Sequence, residues 1–87
     1  MKKFSENYIN KFLINLLEEK GPISKKKKKN ILQYRYLEDG HIDSLAIFSF
    51  INKIENKFKI KFSVKDTNSD EFRHIKGLSK IIIKKTI

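Results

Sequence analysis

Ser44-Leu45-Ala46-Ile47-Phe48-Ser49-Phe50-Ile51-Asn52-Lys53-Ile54-Glu55-Asn56-Lys57-Phe58 is the stretch whose reading decides the fold. Ile47, Phe50, Ile51, Ile54 and Phe58 recur at steps of three and four, which gathers side chains on one face of an α-helix. Asp43-Ser44 stands just before them and supplies N-cap chemistry, a short side-chain oxygen for N–H groups that a first turn leaves unpaired. The stretch therefore predicts a helix from Ser44 to about Lys57 that buries one apolar stripe.

Upstream, Phe4, Tyr8, Ile9, Phe12, Leu13, Leu16 and Leu17 form a second stripe with Glu, Lys and Asn opposite. Ser5 can cap this helix and Gly21-Pro22 stops it near Lys20. Pro22 to Asp43 then reads as a long connection, uncommon in a small domain and usually functional. Its run Lys25-Lys26-Lys27-Lys28-Lys29 repels itself and is not expected to pack. Ile31, Leu32, Tyr34, Tyr36 and Leu37 can pin the second half to the core, with a short helical turn at Ile31 to Tyr34.

Downstream, Lys59 to Val64 alternates apolar and polar without a partner strand. It is read as an extended connection whose Ile60, Phe62 and Val64 plug the core. Asp66 to Asp70 is turn chemistry leading to a short helix at Ser69 to Phe72. The last helix runs from Ile75 to Lys85 on Ile75, Leu78, Ile81 and Ile82, with Gly77 weakening it by up to ~1 kcal/mol relative to Ala. The expected fold is all-α, a single domain over residues 1–87: a four-helix bundle with a long first loop and a short third helix. Its expected core is Leu13, Leu16, Leu17, Phe50, Ile51, Ile54, Phe58, Phe62 and Ile82.

Composition narrows the function. The 87 residues include no Cys, which excludes disulfides and thiolate metal sites. Met1-Lys2-Lys3-Phe4 is basic, but polar residues from Ser5 onward interrupt any apolar signal region. No apolar run approaches the ~20 residues that span a bilayer. A cytoplasmic monomer without a membrane span is the expectation. Twenty basic residues against ten acidic ones give a net charge of +10, which favours polyanions or acidic partners. The lysines are spread along the chain. No Ser-His-Asp order or Gly-rich phosphate loop is present, so an enzyme is not expected. His41 and His74 have no second ligand at metal spacing and read as loop or cap residues.

Leu37-Glu38-Asp39-Gly40-His41-Ile42-Asp43-Ser44-Leu45 delivers the long loop into the second helix. Here the chain resembles the acyl carrier protein family, whose attachment site is an Asp-Ser-Leu or Asp-Ser-Met triplet at the start of helix two. The likeness runs from about Phe4 to Lys85 and looks somewhat closer to D-alanyl or aminoacyl carriers than to acidic fatty-acid carriers. It implies a 4'-phosphopantetheine arm, derived from coenzyme A, on Ser44. It also implies that Asp43 stands beside the metal of the phosphopantetheinyl transferase and orients that enzyme. The further partners implied are acyl- or aminoacyl-activating and transfer enzymes of fatty acid or secondary metabolite biosynthesis. An inert hydroxyl must be reached by a separate enzyme, so an exposed loop–helix junction suits it. A phosphodiester there would lie near free N–H groups and the positive end of the helix dipole.

The chain departs from the family on helix two. Its outward face has Ala46, Ser49, Asn52, Lys53, Asn56 and Lys57, with Glu55 its one acid, where fatty-acid carriers are acidic. Leu45 and Phe48 lie off the core stripe, and Phe48 reads either as packed under the first loop or as an exposed apolar contact. Docking through Leu45, Phe48, Asn52 and Lys53 onto apolar or acidic partner surfaces is the expectation. The rival reading is a small basic helical nucleic-acid-binding protein, with Lys25 to Lys29 and Arg35 on phosphates and Tyr34 and Tyr36 stacking on bases. Against it, no helix presents base-reading Arg or Asn, and the chain has only two Arg. A third reading is a carrier-like interaction module without an arm.

Overall fold

Short oxygen-bearing side chains set where the helices begin. The computed structural model describes residues 4–86; the basic start Met1-Lys2-Lys3 and Ile87 lie outside them. Ser5 Oγ accepts the Tyr8 N–H at 3.1 Å and opens α1 (Glu6–Glu18). Ile9, Leu13, Leu16 and Leu17 are buried, as their spacing predicts. Asn10, expected on the outer face, is buried as well. The Ser79 hydroxyl donates to its Oδ1, so both polar groups are satisfied inside the packing of α1 on the last helix.

The lysine run forms one helical turn, α2 (Lys25–Lys28), with Ser24 as its cap. None of its side chains is buried. Lys27 pairs with Asp39 at 2.9 Å and Lys28 with Glu18 at 3.2 Å, which relieves part of the self-repulsion. A 3-10 turn at Ile31–Gln33 follows. Tyr34 and Tyr36 are then buried, with the Tyr36 ring 5.4 Å from Phe50. The Tyr36 hydroxyl donates to the Phe72 carbonyl, and burial pushes its phenol pKa upward.

Helix α3 (Ala46–Phe58) buries Phe50, Ile54 and Phe58 and half-buries Ile47 and Ile51. Phe58 meets Phe4 and Phe12 edge-on at 4.8 and 5.3 Å. Lys59 leaves the helix with φ 57°, and Ile60 turns back into the core. Val64 does not plug the core; it is 76% exposed. The reason is a capping box: Ser63 Oγ accepts the Asp66 N–H while Asp66 accepts the Ser63 N–H. That pair starts α4 (Val64–Asn68) at Val64. The short helix expected at Ser69 to Phe72 is present one residue later as a 3-10 turn, Asp70–Arg73, that buries Phe72, and α4 is an additional helix ahead of it. Phe62, expected in the core, is half-buried and meets Phe72 edge-on at 5.5 Å.

Helix α5 (Ile75–Thr86) packs on α1 and on both 3-10 turns. His74 caps it, with Nδ1 accepting the Gly77 N–H at 3.0 Å. Ile75, Leu78, Ile81 and Ile82 are buried in one cluster with the stripes of α1 and α3. Among the described residues the chain is all-helical, with five α-helices and two 3-10 turns and no strand. No helix among the described residues is long and apolar enough to cross a membrane.

Gly77 reverses its sequence reading. A Cβ there would sit 2.6 Å from the Glu71 Cα and closer still to the Glu71 carbonyl, so backbone passes where a side chain would be. Gly77→Ala gains up to ~1 kcal/mol of helix propensity. It forces a displacement that in packed sites typically costs ~1–3 kcal/mol. The expected outcome is net destabilisation, read as a lower denaturant midpoint at unchanged slope. An equal or higher midpoint would show that Asp70–Arg73 moves aside freely.

Candidate functional site

Four contacts fix the loop that leads to Ser44. Gly40, at φ 74°, allows the reversal in which the His41 N–H reaches the Tyr36 carbonyl at 3.0 Å. The His41 ring then bridges two elements. Its Nε2 donates to the Leu17 carbonyl at the end of α1, and its Nδ1 accepts the Tyr34 hydroxyl, both at 2.8 Å. A carbonyl can only accept, so this pairing places the ring proton on Nε2. Ile42 is buried next to it, which leaves Asp43, Ser44 and Leu45 on the surface at the head of α3.

Asp43 is the cap. Its Oδ1 accepts the Leu45 and Ala46 N–H groups at 3.1 and 2.7 Å, and its carbonyl accepts the Ile47 N–H. The first donors of α3 are therefore not free, contrary to the sequence expectation of open N–H groups beside Ser44. The helix dipole still points its positive end at this position. Ser44 itself is exposed. Of the seven serines, Ser5, Ser24, Ser63, Ser69 and Ser79 have their hydroxyls engaged in caps or buried bonds. Ser44 and Ser49 do not, and only Ser44 stands at a helix start.

Beside Ser44 lies an apolar face. Leu45 is 81% exposed and Phe48 71%. Phe48 forms one rim of a groove of about 430 Å³ between α3 and α4, with Val64 on the other rim and Ile47, Ile51, Phe62 and Phe72 along it. Val64 is the contributor that the sequence reading missed. The signal was present in Ser63-x-x-Asp66, which marks a helix start and turns the next residue outward.

Asn52 and Lys53 are exposed farther along α3, and Lys53 reaches Glu19 of α1 at 3.2 Å. Lys57 lies over the rings of Tyr8 and Phe12 at 5.4 and 5.7 Å. Glu55 turns inward: its side chain is 13% exposed and accepts the Phe62 N–H at 2.8 Å. The one acid of this helix is thus engaged with the backbone that follows it. Two features of the nucleic-acid reading also change. Tyr34 and Tyr36 are buried, so neither can stack on a base, and Arg35 is bonded to Glu38 and Asp70.

The chain matches no family model, no curated protein and no solved structure.

The Arg35 cluster ties the loop to the turn before α5. Its guanidinium donates to Glu38 at 2.9 Å and to Asp70, and Arg73 lies 3.7 Å from Glu38. Hydrogen bonds from Arg35 hold the Glu38 and Asp70 carboxyls below their usual values. Groups with depressed native pKa values add stability above the ordinary carboxylate range near ~4, and lose it as pH falls through the native values. The melting temperature should therefore fall on acidification below about pH 5, and Arg35→Gln should flatten part of that fall. An unchanged pH profile in Arg35→Gln would show that the cluster contributes nothing to stability.

Proposed function

We propose that the chain is a carrier that holds an acyl or aminoacyl group as a thioester on a 4'-phosphopantetheine arm attached to Ser44. In this reading the helices form an acyl-carrier bundle, with α1, α3 and α5 as its long helices and α4 as the short one. The observation that carries the proposal is the Asp43-Ser44-Leu45 triplet at the head of α3, with the Ser44 hydroxyl exposed and outside every cap.

The residues present suit the group. Ser44 stands where a modifying enzyme can reach it, on a loop held by His41 and Ile42. The negative phosphodiester would meet the positive end of the α3 dipole, beside an Asp43 oxygen already balanced by two N–H donors. The arm supplies a terminal thiol that carries cargo as a thioester. Asp43 keeps its second carboxylate oxygen for the metal of the phosphopantetheinyl transferase, the role that the family resemblance gives it.

Incubation with coenzyme A and a broad-specificity transferase, followed by intact-mass measurement, tests the site. One arm should be added, and none to Ser44→Ala. No gain in the native chain, or a gain that survives in Ser44→Ala, would overturn the assignment.

Partner docking in this reading centres on Leu45 and Phe48, with Asn52 and Lys53 beyond them. Burying Phe48 contributes ~1.5–3 kcal/mol, whereas an exposed ion pair adds at most ~1 kcal/mol. Loading of the arm-bearing protein by its activating enzyme should slow at least tenfold, roughly the lower of these figures, in Phe48→Ala. Glu55→Gln keeps an oxygen for the Phe62 N–H and should change loading little. The reverse order would mean that docking runs through a carboxylate.

A further inference from the structure

Most of the acidic side chains sit within ion-pair distance of a cation, among them Glu18, Glu19, Glu38, Asp39, Asp66 and Asp70. Both arginines belong to that set. The cations left over among the described residues are lysines: Lys11, Lys20, Lys57, Lys59 and Lys65 lie apart along the chain, and the other six fall in two groups. Helix α5 carries no carboxylate from Ile75 to Thr86. Its lysine arc is Lys76, half-buried, with Lys80 and Lys84, exposed, one every four residues and so ~6 Å apart along the axis. None of the three is in an ion pair among the described residues. Glu71 and Asp66 border the cleft at the Lys84 end, and Asp66 is held by Lys85 at 2.7 Å.

A second group lies on the flank of the same helix. The Ile31–Gln33 turn packs on α5 and follows directly on the lysine run. Lys27 and Lys28 anchor the run to Asp39 and Glu18, which leaves Lys25, Lys26 and Lys29 exposed and unpaired. Neither α5 nor the run carries an exposed large apolar side chain; among the described residues those are Tyr8, Leu45, Phe48 and Val64.

We infer that this lysine surface of α5 and the Lys25–Lys29 run is a docking face for an anionic lipid bilayer. Six unpaired lysines fall within the range of about four to eight that marks acidic-lipid binding. Their compact, hydrated charges suit the diffuse field of a headgroup layer. A nucleic acid fits less well. The surface offers no free guanidinium to fork onto phosphates and no exposed aromatic ring on which a base could stack. Attraction without apolar insertion is purely electrostatic, so salt should abolish it. The inference does not rest on the carrier reading, because the surface excludes Ser44 and needs no arm.

The test uses the unmodified full chain and vesicles of phosphatidylcholine, with and without phosphatidylserine, in a cosedimentation assay. Binding is expected only to the anionic vesicles, weakening as salt rises. Each lysine near such a surface contributes about fivefold, so the triple variant Lys76→Gln, Lys80→Gln, Lys84→Gln should lose about a hundredfold. The charge-matched triple Lys53→Gln, Lys57→Gln, Lys61→Gln should lose far less. Circular dichroism checks the fold of both, and the single variants Lys76→Gln and Lys80→Gln, each losing about fivefold, serve if a triple unfolds. No binding to anionic vesicles, or equal losses in the two triples, would overturn the inference. So would displacement of the protein from vesicles by a single-stranded RNA at equal phosphate concentration.

Discussion

Burying the phenol of Tyr36 is the constraint on which the rest of the molecule depends. A hydroxyl in the core must have a partner, since leaving it without one costs roughly 1–3 kcal/mol. The partner is the Phe72 carbonyl, thirty-six residues away in the turn before α5. The ring of Tyr36 packs on Phe50 of α3. One side chain of the long loop thus binds that loop to two helical elements at once. Everything between Leu37 and Ser44 hangs from that point. The Gly40 reversal bonds back to the Tyr36 carbonyl, His41 bridges to α1, and Ile42 is drawn inward. A loop held at so many places brings Ser44 to the surface in one position.

The stripes of α1, α3 and α5 were legible in the sequence because each is a local period, repeated over three or more turns. So was the Ser5 cap; the place of Phe48 off the stripe left open whether it packs under the first loop or faces outward, and in the fold it faces outward. What escaped reading was set by contacts between distant residues. Asn10 looks like a surface residue until Ser79 is placed against it. Gly77 looks like a weak point in a helix until the Glu71 backbone is laid across it. Tyr34 and Tyr36 were legible as anchors of the long loop, and both are buried, but nothing local reveals the His41 ring and the Phe72 carbonyl that take their hydroxyls. Val64 is different. Its capping box was local and readable, and the competing alternation of Lys59 to Val64 obscured it.

The charge distribution follows from the same division of labour. Carboxylates are scarce, and the structure uses them to close joints. Asp66 completes a capping box and holds Lys85, Asp39 steadies the lysine turn, and Glu55 bonds the backbone that leaves α3. Acids committed to joints are not available to a partner. The surface left for recognition is therefore apolar around Phe48 and cationic along α5. The low acid content of α3 is then more than a shift in composition, because its single carboxylate is structurally occupied.

The order of Asp43 and Ser44 completes this logic. A serine that caps a helix accepts backbone N–H bonds through its hydroxyl, as Ser5, Ser24 and Ser63 do here. Such an oxygen is held in one rotamer against the helix end and is a poor target for an incoming enzyme. At the head of α3 the acid one residue earlier takes that role, and its charge makes it the stronger acceptor. The Ser44 hydroxyl is thereby released from the helix it precedes while still held in place by it. Any chemistry that needs a fixed but uncommitted hydroxyl at the positive end of a helix dipole finds it at this position, and the other helix starts of this chain, capped by Ser5, Ser24 and Ser63 or, for α5, by the His74 ring, do not offer one.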